Sequence, residues 1–533
     1  MKKLFFSLSL LASFASINAQ SVQAVETAAK VDSTLLKNWM HSDFQATGIY
    51  GVNTLKAKAF LAEHNRKPQN IVVGVLDSGV EYFHEDLKNI MWVNPKEKAD
   101  DKKDNDKNGY IDDIHGWNFV TDKDGKSYAE DTLELTRQYS KYAKKFERNE
   151  AAKVKDPEGY KRYLELKKDY FSTITRYKMT KEVANARMSY VKPRLDALNK
   201  AFAGETLTKK KVDSFVSEDP LALEALFVFS EVPQKDWENK TIEEITASYE
   251  KKISGMLASA DNNMKYNYNL SFNPQEGLGK TYGNNDVKGL SDFHGTHVSG
   301  IIAAEWDNGK GMMGTGGGNY VKIMGVRTVP DGDERDQDVA NGIRYAVNNG
   351  AKILNMSFGK LVDDNSPLVK EAFKYAESKN VLIVKAAGNN NLNVDETTLY
   401  PITLVDGKQY SPTTITVGAN TRNADNLRAR FSNFGKAAVD VFGPGTEIYS
   451  TIPGTSKYGF AQGTSMASPA VAGVAALVWS HYPKLTAKDI KQILVETVNK
   501  NDQLKDISVS GGVVDSYKAV QKAEEIYKQR KLK

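Results

Sequence analysis

There is no cysteine among the 533 residues. That excludes disulfides and removes the attachment point of a lipoprotein. After the first 19 residues no run is long and apolar enough to span a bilayer, which takes about 20 residues, so no membrane span is expected. One-sided charge is also missing: 72 Lys plus Arg stand against 67 Asp plus Glu. No basic patch interleaved with aromatics stands out, so nucleic acid is not an expected partner. The 26% of charged residues reads as a solvated surface. A chain without disulfides that works outside the cell must be held by packing and by metal ions.

What is present begins with an address. Lys2 and Lys3 precede an apolar run from Leu4 that finishes Ile17-Asn18-Ala19, the layout of a signal peptide over residues 1–19. The expectation is an exported protein, periplasmic or secreted. A short polar stretch follows at 20–35, leaving no room for a folded pro-domain before the first strand. From Gly74 onward, buried strands (322–327, 352–356, 381–386, 415–418) alternate with helical patterns (339–348, 368–378, 467–479, 486–497). Such alternation implies parallel strands with crossover helices on both faces, a three-layer α/β fold. Residues 36–130 and 271–527 are assigned to this domain, and 528–533 to a solvated basic tail.

Between the two parts lies a charged, mostly helical insertion, 131–270. Basic residues concentrate in 141–211 and acidic ones in 212–250, as complementary arms of a helical hairpin or bundle would. Tyr139, Tyr142 and Phe146, then Tyr160, Tyr163, Leu164 and Tyr170, then Val183, Met188, Val191, Leu195 and Leu198 are spaced to give helices an apolar stripe. That stripe reads first as the insertion's own packing. The alternative is an exosite or gate over a cleft, with a partner of its own.

Three segments carry chemistry. Gly463-Thr464-Ser465-Met466-Ala467-Ser468-Pro469 runs into the small-residue apolar stretch 470–477. A serine there sits at the N-terminus of a buried helix, where partial positive charge favours a developing oxyanion; the competing reading is a helix cap. The run Ile71-Val72-Val73-Gly74-Val75-Leu76 ends in Asp77, at the strand end where open parallel sheets place their ligands. In Phe293-His294-Gly295-Thr296-His297 a turn enters a helix with a His at its start. Read as a metal pair, His294 and His297 fit badly, because zinc-protease histidines are spaced i, i+4 with a Glu between.

Asp77-Ser78-Gly79, His294-Gly295-Thr296-His297 and Gly463-Thr464-Ser465-Met466-Ala467 resemble, in that order, the signature segments of the subtilisin-like serine peptidases. The stretches 351–359 and 381–389 look like that family's two substrate-cleft strands. By this resemblance Ser465 is the nucleophile of an acyl-enzyme mechanism, His294 the general base, Asp77 its orienting acid, and His297 structural. Asn389 and the Ser465 backbone N–H would form the oxyanion hole. Ser357-Phe358-Gly359 would offer a polypeptide substrate an antiparallel edge, and Ala386-Ala387-Gly388 would wall an S1 pocket for apolar or aromatic side chains. An inactive peptide-binding relative is the first rival, opposed by the intact Asp77, His294, Asn389 and Ser465. A serine esterase is the second, opposed by the chain order and the missing second Gly of G-x-S-x-G.

Asp104, Asp106, Asn108 and Asp112 place oxygen donors at positions 1, 3, 5 and 9 of a loop, with Gly109 at 6 and the Tyr110 carbonyl at 7. This approaches an EF-hand loop, with His115 where Glu is expected at 12. A structural Ca²⁺ is the expected cofactor, and no catalytic cofactor is expected.

Overall fold

A computed structural model describes residues 33–532, apart from 203, 231–232 and 364–365. The expected signal peptide and most of the polar stretch after it lie outside the described residues. The chain forms two compact units, one up to Glu134 and again from Asn273, the other Leu135–Phe272. The second starts four residues later than the sequence reading puts it. Asp131 and Glu134 belong to the first unit, where Asp131 pairs with Arg335 (2.6 Å) and Glu134 with Lys360 (3.0 Å).

In the first unit the strands are β1 (Ile71–Asp77), β2 (Gly116–Asn118), β3 (Val321–Arg327), β4 (Ile353–Met356), β5 (Leu382–Ala386), β6 (Leu404–Val405) and β7 (Lys408–Gln409). They continue as β8 (Thr414–Asn420), β9 (Val441–Pro444), β10 (Ile448–Thr451), β11 (Tyr458–Ala461), β12 (Asn499–Lys500) and β13 (Gly512–Val513). Nine of them make one sheet in the order β12-β13-β9-β8-β5-β4-β1-β3-β2. All neighbours are parallel except β12 with β13. β6–β7 and β10–β11 are separate antiparallel pairs.

Alternation along each strand builds two cores. Val73 and Val75 of β1, with Leu382 and Val384 of β5, pack with the helices Phe293–Ala303, Thr464–His481 and Ala487–Glu496. Leu76, Met324, Leu354 and Ile383 pack with Asp336–Asn348 and Leu368–Ser378 on the other face. Burial on both faces is why these strands read as continuous apolar runs. The helix Thr464–His481 is buried along its whole length. Small residues permit that: a Cβ on Gly473 would stand 2.0 Å from Thr315 Oγ1.

In the second unit a 46-residue helix, Pro157–Phe202, packs with Pro220–Ser230 and Ile242–Asn262. Val191, Leu195, Leu198 and Phe202 join Ala222, Ala225, Trp237 and Ile242 in one core. Toward its other end, Tyr139 and Tyr170 stack at 4.6 Å. The basic and acidic arms do meet: Lys192 pairs with Glu250 (2.9 Å) and Arg194 with Glu224. The stripe is narrower than its spacing predicts, because Leu164 and Val183 are exposed while Leu166 and Ala184 take the buried positions.

Candidate active site

Asp77 is the last residue of β1, and Ser357 follows the last residue of β4. Since Leu76 and Met356 are register partners, Asp77 and Ser357 leave two adjacent parallel strands at the same level. Helix Phe293–Ala303 brings His294 to this edge. Its close approach depends on Gly295, where a Cβ would stand 2.1 Å from Gly79 O. His294 Nδ1 and Asp77 Oδ1 are 2.7 Å apart, and the same oxygen accepts the Ser78 N–H at 2.7 Å. The carboxylate is sealed at 3% exposure, whereas the imidazole keeps 18%. Burial works against charge on His294. The field of Asp77 and its hydrogen bond outweigh that and hold the imidazole above its ordinary pKa. With Nδ1 carrying the proton toward Asp77, Nε2 of the neutral imidazole is left unprotonated.

Ser465 is the second residue of helix Thr464–His481. Its Oγ donates to Ser357 O at 3.0 Å, and Ser357 Oγ donates back to Ser465 O at 2.9 Å. Among the described residues Ser465 Oγ has no hydrogen bond to His294. The pair is braced from behind: Ser468 Oγ donates to Asn355 Oδ1 (2.9 Å), and Asn355 Nδ2 to Ser357 Oγ (2.9 Å). The sequence assigns no such brace to Asn355 and Ser468, because only the tertiary pairing of β4 with this helix joins them.

Asn389 lies just beyond β5. Its Oδ1 accepts both the Thr464 N–H and the Thr464 hydroxyl at 2.8 Å. A backbone N–H can only donate, so the amide orientation is fixed and Nδ2 is left to donate elsewhere. Gly388 has φ +94°, and a Cβ there would meet Asn433 Nδ2 at 2.5 Å, so the turn demands glycine. Thr464 and Asn433 are further residues that motif reading misses. Leu399 closes the space between the two expected cleft walls. Its Cδ2 would be 3.1 Å from a Cβ on Gly388 and 3.4 Å from one on Gly359. Phe358 is half-buried and Ala386 and Ala387 are buried. His297 is buried, within 3.1 Å of Ile448 O and 3.2 Å of Gly459 O, and burial pushes its pKa down to about 3. It stays neutral.

In the acidic loop, Asp104 and Asp106 come together with Glu97, one carboxylate oxygen from each lying within 4.8 Å of the others. The two other expected side-chain donors, Asn108 and Asp112, make hydrogen bonds within the loop. Asn108 Nδ2 donates to Asp106 Oδ2 (3.2 Å), Tyr110 N donates to Asn108 Oδ1 (2.8 Å), and Asp112 Oδ2 accepts the Lys102 N–H (3.0 Å). Asp112 Oδ1 is buried without a partner. Glu97 lies seven positions before Asp104, outside any loop spacing, so the motif alone gives no sign of it.

The Subtilase family model matches residues 138–513, a range that begins beyond Asp77. A thermophilic serine proteinase of Bacillus sp. (strain AK1) is 38% identical over 43% of this chain and 52% of its own length, so the chain spans about half of that relative. Thermitase of Thermoactinomyces vulgaris is 38% identical over 43% of this chain and 75% of its own. Subtilisin DY of Bacillus licheniformis is 36% identical over 38% and 69%.

Proposed function

The chain belongs to the subtilase family, and from that premise we propose that it is an exported serine endopeptidase acting on polypeptides through Asp77, His294 and Ser465. The observation that carries this reading is the 2.7 Å Asp77–His294 bond between residues 217 positions apart, at the strand ends beside Ser465. Ser465 Oγ leaves Ser357 O, gives its proton to His294 Nε2 and attacks the peptide carbonyl. Asn389 Nδ2 and the Ser465 N–H receive the negative oxygen, and the imidazolium protonates the leaving amine. Water then hydrolyses the acyl-enzyme by the same steps in reverse roles. The backbone of Ser357, Phe358 and Gly359 pairs with the substrate as an added strand. The space between Gly359 and Gly388 takes an apolar P1 side chain, with Leu399 at its end. Casein against a simple ester tests the reaction class: a peptidase cleaves both, and a protein that hydrolyses only the ester contradicts the proposal.

The base works only when neutral. Because Asp77 raises the His294 pKa, kcat/KM on a short peptide is expected to fall as pH drops, with its midpoint above the ordinary imidazole value of about 6.5. The same shift favours the folded state at low pH. That contribution is present below the unfolded pKa and is lost as pH rises through the folded one. A pH–rate profile whose acid limb lies below 6.5, at about 5.5 or lower, contradicts the pairing.

Glu97, Asp104 and Asp106 fit a Ca²⁺, a hard cation that takes carboxylate oxygens, and the unpartnered Asp112 Oδ1 is consistent with a cation nearby. Such binding adds about 2.7 kcal/mol to stability at 100 times the Kd. EDTA is expected to lower Tm, and Asp104→Asn with Asp106→Asn to abolish the difference; an unchanged Tm in EDTA contradicts the site.

For the Leu135–Phe272 unit, whose apolar stripe largely serves its own packing, we propose as the second reading an exosite for protein substrates, on the ground that Asp77, His294 and Ser465 all lie outside it. Replacing it by a Gly/Ser linker is expected to spare cleavage of short peptides and to slow cleavage of folded proteins. Equal loss on both contradicts this role.

A further inference from the structure

One residue before the Ala386-Ala387-Gly388 wall, β5 carries a lysine that the reaction leaves unused. Lys385 is fully buried. Its register partner on β8 is Thr416, so the two side chains leave the sheet on one face, together with that of Ala387. Lys385 Nζ donates to Pro401 O at 2.7 Å and to Thr403 Oγ1 at 3.0 Å. Both acceptors are neutral, and an ammonium has a third hydrogen to give.

No carboxylate of the described residues forms an ion pair with it. Two act on it from farther off. Asp440 is itself paired with Lys491 at 3.2 Å. Burial pushes Glu334 well above the usual carboxylate range, against the pull of Lys360. Asp395, an exposed residue that lines the same cavity as Lys385, has its oxygens engaged by the N–H groups of Ala437 and Ala438. Burial lowers the Lys385 pKa to about 8, so at neutral pH most of the ammonium is still charged.

Lys385 and Thr416 line a cavity of about 170 Å³, bounded by Leu399 on one side and by the β6–β7 hairpin through Leu404 and Gly407 on another. Thr416 Oγ1 is buried there without a hydrogen-bond partner. A buried cation whose direct acceptors are neutral, an idle hydroxyl on the same face, and space for several water-sized groups at about 30 Å³ each are complementary to one kind of guest. We infer that this cavity binds a small monovalent anion, a halide or an acetate-sized carboxylate, held by Lys385 Nζ and Thr416 Oγ1. Among the described residues Lys385 is the one cation of the lining, and its one carboxylate, Asp395, is already engaged by the Ala437 and Ala438 N–H groups, so a guest of charge −1 matches the charge left to pair.

The full chain carrying Ser465→Ala, which guards against self-digestion, is compared in sodium acetate and in sodium gluconate at equal ionic strength, gluconate being too bulky for the cavity. Acetate is expected to raise Tm by about 2 °C over gluconate near saturation, Lys385→Met to abolish that difference, and Thr416→Val to reduce it. Crystals soaked in bromide supply the halide arm, with an anomalous peak expected within hydrogen-bond reach of Lys385 Nζ and Thr416 Oγ1. That map and the Thr416→Val response decide the matter if Lys385→Met does not fold. Equal Tm in the two salts together with water alone in the bromide map overturns the inference. So does an acetate response in Lys385→Met as large as the parent's.

Discussion

Ser465→Ala is expected to lower kcat/KM on casein-derived peptides by roughly 10⁶-fold while leaving Tm within a few degrees of the parent, the size of loss being that known for subtilisin, a relative. The hydroxyl makes one bond in this state, to Ser357 O, and the brace through Ser468, Asn355 and Ser357 Oγ does not pass through it. The fold therefore loses little. His294→Ala should cost about as much, and the double variant no more than either single one, because a nucleophile without its base and a base without its nucleophile are equally idle. Additive losses in the double variant contradict a shared step.

Asn389→Leu is the second large effect, expected at about 100- to 1000-fold in kcat with KM little changed, again by analogy with the corresponding donor in subtilisin. The amide donates to an oxygen that becomes negative only in the transition state, so substrate binding is spared. Thr464→Val separates positioning from donation. It keeps the Thr464 N–H to Asn389 Oδ1 but removes the hydroxyl that bonds the same oxygen and receives the Gly388 N–H. Its expected loss is smaller than that of Asn389→Leu and falls on kcat. A loss confined to KM contradicts the orienting role.

The sheet was legible because its central strands are buried on both faces. The segments read at 322–327, 352–356 and 381–386 fall within a residue of β3, β4 and β5, and the helix read at 368–378 is Leu368–Ser378. β9 to β13 escaped that reading, being two to four residues long and broken by Gly443, Pro444, Gly459 and Gly512, too short for a period to show. The long insertion helix could be read as a helix, but not by face. Only part of its 46 residues is buried, and the apolar count alone does not separate Leu164 from Leu166. At the site, Asp77, His294 and Ser465 stand in recognisable segments, and Asn389 follows from the family resemblance those segments carry. Their supports do not: Asn355, Asn433 and Thr464 gain meaning only from contacts across strands and helices, as does Glu97 in the acidic loop. Lys385 is the plainest instance. In sequence it is one polar residue in an apolar strand, and the register with Thr416 is what makes it part of a cavity.

Fluorophosphonate labelling followed by peptide mapping decides whether Ser465 is a nucleophile activated by His294. The expected result is a single phosphonylated residue, Ser465, in the native protein, with labelling slowed as pH falls below the His294 pKa and almost absent in His294→Ala. A casein-cleaving protein whose adduct sits on another residue, or whose Ser465 labels as fast without His294, would contradict it.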